Sequence, residues 1–502
     1  MRNADSARDA RSLSGDTLFR ALAFLCLLTF AAFFEFRALT ALRDPEIWGH
    51  LRTGAWMLQN KAWPRLGLFS QSANLPWQDC SWGFSVLTAI AYRIAGYAAL
   101  PALLIVLRIA LALCAFLLAG GWRNFWAAAA LSAIAQYVLW AMGPAPAFIS
   151  ALLFACEAWV LWDVRELGDG RRLVALPFLF AVWVNFDTGF VYGLALYLIF
   201  FASFVIEARL PSGNRAILDR AAASVPLSRV AWIGAACIVT SFLNPYGFQP
   251  HVSFFANELS PVNSNLAAYH ALGFRQPQDY VLMLLGMAAY LALGLVRSRD
   301  LFQIGALAGC TALAFHAQRE SWLLALVAVT VIGQAIRRAR QACASQETSC
   351  WNPQRLGVLT VAVIFSLGAF FLTKGRNQDL LFAKMAGNFP VGAADFLRQH
   401  PQPAPLFNDY KWGAFLTWYL PEFPVAIDSR RGLYPEETEL GYFKAMNADI
   451  PYREFPPMNQ ARTLLLDKSS LMGQAFRGVA DFQVIYEDNL AIVYSHPAKE
   501  QP

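Results

Sequence analysis

Nine consecutive residues, Asp44-Pro45-Glu46-Ile47-Trp48-Gly49-His50-Leu51-Arg52, hold two carboxylates, an imidazole and a guanidinium just beyond the first long apolar run, about 16–36. Such a density of ionisable groups at a membrane surface is costly unless the groups have partners or a task. Carboxylates two residues apart can accept a hydroxyl proton, and a divalent cation (Mg or Mn) between Asp44 and Glu46 is compatible with their hard oxygens. The same residues have a structural reading. Asp before Pro is a helix start, with the carboxylate capping the positive helix end. On that helix Glu46 and His50 share a face one turn apart, as an ordinary surface pair would. Capping and catalysis are compatible, so both readings stay open.

Further candidates follow along the chain. Asp79 also precedes a helix start. Asn185-Phe186-Asp187-Thr188-Gly189 joins two apolar runs, and its residue types equally favour a tight turn. Asn244-Pro245-Tyr246-Gly247 doubles as a helix terminator. His316-Ala317-Gln318-Arg319 also joins two runs, and an arginine there matches phosphate oxygens bidentately. Asp428-Ser429-Arg430-Arg431 follows an expected strand and reads either as a ligand-binding strand end or as a solvated turn.

The elements that must position these residues are membrane spans. The 502 residues are 57% hydrophobic and only 15% charged, whereas soluble chains carry about 25% charged residues. Apolar runs at about 16–36, 99–119, 124–141, 147–162, 172–186, 189–206, 229–243, 280–296, 301–315, 321–336 and 355–373 predict an α-helical polytopic membrane protein of about 11 spans. Residues 1–17 read as a short disordered lead. Residues 37–98 form a first extracytoplasmic loop, in which Trp82, Val86, Ile90 and Ile94 repeat every four residues, as in a helix lying along the interface.

Charge sets the orientation. With a cytoplasmic N-terminus the inner loops collect Arg165, Arg171, Arg172, Arg337, Arg338 and Arg340, as the positive-inside rule requires. Every chemical candidate then falls on the outer face. The net charge of +6 sits in short loops and reads as topology, not nucleic-acid binding. The eight cysteines have neither disulfide nor metal spacing, and Cys80 has no evident partner. The six scattered histidines hold no zinc pattern.

After the transmembrane part, 1–373, the composition turns polar, and 374–502 is expected to form a small α/β extracytoplasmic domain. Its elements are a helix at 391–399, strands at 405–407 and 424–427, a Trp-rich helix at 411–420 between them, and a hairpin of 482–486 with 491–494.

The Asp-x-Glu of the first loop resembles the acidic motif of the GT-C glycosyltransferases, multi-span enzymes that take sugars from polyprenyl-phosphate carriers. The likeness is to a bacterial GT-C-like group with an Asp-Pro-x-x-Trp-x-His-Leu-x-x-Gly pattern, here Asp44, Pro45, Trp48, His50, Leu51 and Gly54. Trp77-Gln78-Asp79, Trp183-Val184-Asn185, Asn244-Pro245-Tyr246-Gly247 and a terminal set (Asn408, Tyr410, Trp412, Gly413, Ile427, Asp428, Arg430, Leu433, Tyr434) extend it over nearly the whole chain. Two departures stand near the expected site: Asp187 and Thr188 where His-Gly is usual, and Ala145-Pro146-Ala147 where Arg-Pro-Gln is usual.

The resemblance implies a bacterial inner-membrane enzyme that transfers a sugar with inversion from a polyprenyl-phosphate-linked donor to a periplasmic glycan or lipid acceptor. In it Asp44 is the general base, and Glu46 orients it or holds a metal. Arg52 and Arg319, with His50 assisting, meet the lipid phosphate, and Asp79, Asn185 and Asp187 bind sugar hydroxyls. Asn244 and His316 complete the expected substrate-binding set. Rival readings are a lipid-linked glycan ligase or polymerase, a transporter or flippase of a lipid-linked substrate, and a non-catalytic subunit. A transporter would place its polar groups near the bilayer midplane, often in repeated halves, and neither pattern is evident.

Overall fold

The computed structural model describes residues 2–209, 225–343, 365–375 and 377–496. Helix α1 runs from Arg2 to Ala38, so the expected disordered lead is helical backbone continuous with the first span. Six helical stretches are long and apolar enough to cross a membrane: Leu18–Ala38, Trp82–Leu118, Pro146–Leu167, Phe190–Arg209, Pro277–Leu295 and Gln318–Arg340. The protein is a mostly helical, multi-span membrane protein. Several expected spans are shorter. The runs at 124–141, 172–186, 229–243 and 301–315 give α5 (Phe125–Val138), α7 (Ala175–Trp183), α9 (Leu227–Thr240) and α12 (Leu301–His316). At 1.5 Å per residue, a 14-residue helix reaches about 21 Å, less than a hydrocarbon core. Most of the run at 355–373 lies outside the described residues.

The first loop folds around α2 (Glu46–Asn60) and α3 (Trp82–Ala95), which pack along one another. A Cβ on Gly54 would lie 2.0 Å from the backbone oxygen of Ser85, so glycine is what lets the two helices approach this closely. The stripe on α3 that packs inward is Phe84, Ser85, Thr88 and Ala89, while Ile90 and Ile94 face outward. The chain turns at Gly96, with φ of 58°, into α4 (Ala99–Leu118).

Helices α6 (Pro146–Leu167), α8 (Phe190–Arg209), α11 (Pro277–Leu295), α12 and α13 (Ser321–Cys343) pack with α4 and α5 around a continuous apolar core. Between α9 and α11, α10 (Gln249–Leu259) and two short 3₁₀ turns form a long loop.

In the C-terminal segment, α14 (Gln378–Ala386) and α15 (Val391–Gln399) precede a four-stranded mixed sheet of order β1-β2-β4-β3. Its strands are Leu406–Asn408, Thr463–Asp467, Gln483–Glu487 and Ala491–Ser495; β1 and β2 run parallel and the other pairs antiparallel. The expected strand at 424–427 is instead an irregular segment whose Val425 bridges Ser70. The true partner of β1 is β2, from a short, fully buried apolar run that does not alternate.

Helix α16 (Tyr410–Tyr419) packs on α2. There the fully buried Trp48 sits among Trp418, Phe415 and Phe389, with ring centroids 4.6, 5.8 and 6.0 Å away. The tryptophan of the first-loop pattern therefore anchors α2 to the C-terminal segment.

Candidate active site

One end of the helices encloses a cavity of about 890 Å³. Its walls come from α2, the start of α3, the loop at 138–147, the α7–α8 turn, the loop at 253–278, residues 318–322 and the C-terminal residues Tyr410 and Ser429–Arg431. Of the candidates read from the sequence, Glu46, His50, Asp79, Asp187 and Arg319 line it.

Asp44 stands beside the cavity rather than on its lining. Its carboxylate accepts the Glu46 N–H at 2.9 Å, which caps α2, and a Cβ on the cavity residue Gly143 would lie 2.2 Å from Asp44 Oδ2. Burial and the neighbouring Glu46 charge push the Asp44 carboxyl up to about 7. Glu46 itself is exposed on the cavity side.

His50 and Asp79 are joined by a residue that the sequence did not single out. Asp79 Oδ1 accepts the Ser81 N–H at 3.0 Å in the turn that leads into α3, while Oδ2 accepts the Ser85 hydroxyl at 2.6 Å. Ser85 Oγ in turn lies 2.9 Å from His50 Nδ1. Asp79 and Ser85 are buried, and the Phe84 ring packs edge-on against the imidazole at 5.2 Å.

On the far helices, Asp187 accepts the Ser150 hydroxyl at 2.5 Å, and Trp183 Nε1 donates to the same Ser150 Oγ at 2.7 Å. Burial raises the Asp187 carboxyl above the usual carboxylate range, and the Ser150 bond opposes that shift. Arg319 pairs with the buried Glu320 at 2.8 Å and Glu258 at 3.5 Å, and lies 4.5 Å over the Tyr269 ring. Arg431 lies 5.4 Å from the same ring and donates to Asn263 Oδ1 at 2.7 Å. Its Nε and Nη1 are buried with no hydrogen-bond partner among the described residues. Two guanidinium groups thus converge on one aromatic ring of the cavity wall.

The remaining candidates lie elsewhere. Arg52 stacks 4.6 Å over Phe69, away from the cavity lining. Asn185 is spent on packing. It accepts from Trp82 Nε1 at 2.9 Å and donates to the carbonyls of Ala181 and Leu243 at 2.7 and 2.9 Å, joining three segments. Asn244 closes its own turn through Tyr246 N at 2.8 Å and Gly247 O at 2.9 Å. His316 is exposed at the end of α12, off the lining. The solvated-turn reading of 428–431 does not hold. Asp428 is fully buried, forks onto Arg430 at 2.8 Å, and Arg430 stacks 5.0 Å over Trp77. Cys80 does have a neighbour, with Sγ 3.6 Å from Ser253 Oγ.

A divalent cation held by Asp44 and Glu46 needs further oxygen donors. No group of three or more His, Cys, Asp or Glu side chains suited to a metal stands among the described residues. Asp44 is already committed to its helix end, so the donor set does not fit a metal.

No family profile matches the chain, and no curated protein is similar to it in sequence. In fold it is similar to an oligosaccharyltransferase from Archaeoglobus fulgidus, solved with a tethered acceptor peptide containing the NVT sequon. The TM-score is 0.52 at 12% identity, covering 88% of this chain and 69% of the other. The fold is therefore GT-C-like.

Proposed function

We propose that the chain is a membrane glycosyltransferase that moves a sugar, with inversion, from a polyprenyl-phosphate donor to a hydroxyl-bearing glycan or lipid acceptor. The observation that carries this reading is the mixture in one cavity of sugar-binding and phosphate-binding chemistry. Carboxylates at Glu46 and Asp187 suit sugar hydroxyls, while Arg319 and Arg431 on the Tyr269 ring suit phosphate oxygens. A cavity of this size at one end of a bundle of spans leaves the polyprenyl tail in lipid while its headgroup enters protein.

In this reading Arg319 and Arg431 neutralise the phosphate as the glycosidic C–O bond breaks, and Asp187 orients the sugar. Asp44 holds α2 at its N-terminus, and Glu46 binds an acceptor hydroxyl. The outer-face orientation and the separate C-terminal domain expected from the sequence belong to the same proposal, with donor and acceptor meeting outside the cytoplasm.

The test uses membranes carrying the wild type or Arg319→Gln and a panel of radiolabelled polyprenyl-phosphate sugars. The wild type is expected to pass label to a glycan or lipid acceptor, and the variant to lose transfer. A wild type that moves labelled lipid across vesicles without transferring sugar would make the protein a flippase.

A further inference from the structure

We propose that His50 is the base that takes the acceptor proton, held in the required tautomer by a Ser85–Asp79 relay; this rests on the glycosyltransferase reading. Ser85 has one hydroxyl proton, and it is given to Asp79 Oδ2 at 2.6 Å. Asp79 receives a second bond, from the Ser81 N–H at 3.0 Å, so both of its oxygens accept. Ser85 Oγ is left with only lone pairs for His50, so the Nδ1–H at 2.9 Å must be the donor. Nε2 then carries the free lone pair. No partner among the described residues holds Nε2, and the His50 side chain lines the cavity.

Asp44 lacks this freedom. It is bonded to the N–H at the start of its own helix and packed on Gly143, beside the lining. The ionisable groups that line the cavity with His50 include Glu46 one turn away, Asp79 bonded through Ser85, Tyr410 from α16, Asp187, Arg319 and Arg431. Gly54 makes the relay possible, because it permits the close approach of α2 and α3 that brings Ser85 to His50.

His50 Nε2 takes the acceptor O–H proton as the acceptor oxygen bonds to the anomeric carbon. The bond from that carbon to the phosphate oxygen breaks, and its electron pair leaves with the polyprenyl phosphate. The imidazolium proton then passes to water.

The experiment measures transfer kinetics and polyprenyl-phosphate binding for the wild type, His50→Ala, Ser85→Ala and Asp44→Asn in nanodiscs. His50→Ala is expected to lose at least about 100-fold in kcat, the usual worth of a placed base, with lipid binding unchanged and with recovery on adding free imidazole. Ser85→Ala is expected to lower kcat while leaving the donor KM in place. The proposal is overturned if His50→Ala transfers within threefold of wild type, if it is inactive and imidazole restores nothing, or if Asp44→Asn alone abolishes transfer. A wild type that transfers no sugar from any donor instead removes the glycosyltransferase reading, and this proposal with it.

Discussion

The same three elements present polar groups at both of their ends, and the two ends are built differently. At one end Arg165 of α6 forks onto Glu207 of α8 at 2.7 and 2.9 Å and reaches Asp300, ahead of α12, at 2.7 Å. All three are buried, and Asp300 also caps α12 through the Phe302 N–H at 3.0 Å. At the other end α6 contributes Ser150, the α7–α8 turn Asp187, and the link after α12 Arg319, all beside the cavity. The first cluster is closed, with one guanidinium bonded to two carboxylates and every group fixed. The second is open, because Arg431 keeps two buried donors without partners among the described residues and Asp187 stays raised by burial. Charges bonded to one another hold helices together, whereas open donors on a cavity wall are available to a ligand.

Breaking the closed end should cost most. Arg165→Met strands two buried carboxylates and is expected to destabilise the protein by about 3–5 kcal/mol, read as a fall in the thermal transition in detergent. Trp48→Ala, which empties the aromatic cage between α2 and the C-terminal segment, is expected to cost a similar ~3–5 kcal/mol. It should also lower activity, because the cage holds α2 in place. At the open end the pattern reverses. Arg431→Lys keeps the charge but loses the planar fork and its two unpartnered donors, so polyprenyl-phosphate affinity should fall by about 10-fold or more while the thermal transition moves far less than for Arg165→Met.

The smallest effect sharpens the contrast through pH. The folded Asp44 carboxyl sits at about 7, above an unfolded value near ~3.9. Between those values the folded state holds the extra proton, so stability is fully present at acid pH and is lost as pH rises through about 7. Asn also caps helices, so Asp44→Asn should leave stability at pH 4 nearly unchanged. At pH 8 it should raise stability by on the order of 1–2 kcal/mol, after allowance for solvent screening of a half-buried group. Thermal transitions of both proteins at the two pH values check this.

The sequence made the membrane class and much of the candidate site readable, for different reasons. Apolar runs report burial in lipid directly, so the helices were legible even where their lengths were not. Glu46 and His50 were legible because helical spacing is local. Ser85 was not, since its role depends on a contact 35 positions away that Gly54 permits. Arg431 and Tyr269 meet across more than 160 residues, and nothing local marks that ring contact. Asn185, Asn244, His316 and Arg52 have the residue types of a site, and types alone do not separate a ligand-facing amide from one spent on three segments. The unalternating β2 and the bridge at Val425 were hidden because short buried runs carry no period.

The most direct test of the open end as the ligand-binding end is photo-crosslinking of a diazirine-bearing polyprenyl phosphate to the purified protein, with adducts mapped by peptide mass spectrometry. Adducts are expected on peptides containing Tyr269, Arg319 and Arg431, competed away by unlabelled polyprenyl phosphate. Adducts confined to peptides around Arg165 and Asp300, or none that compete, would contradict it.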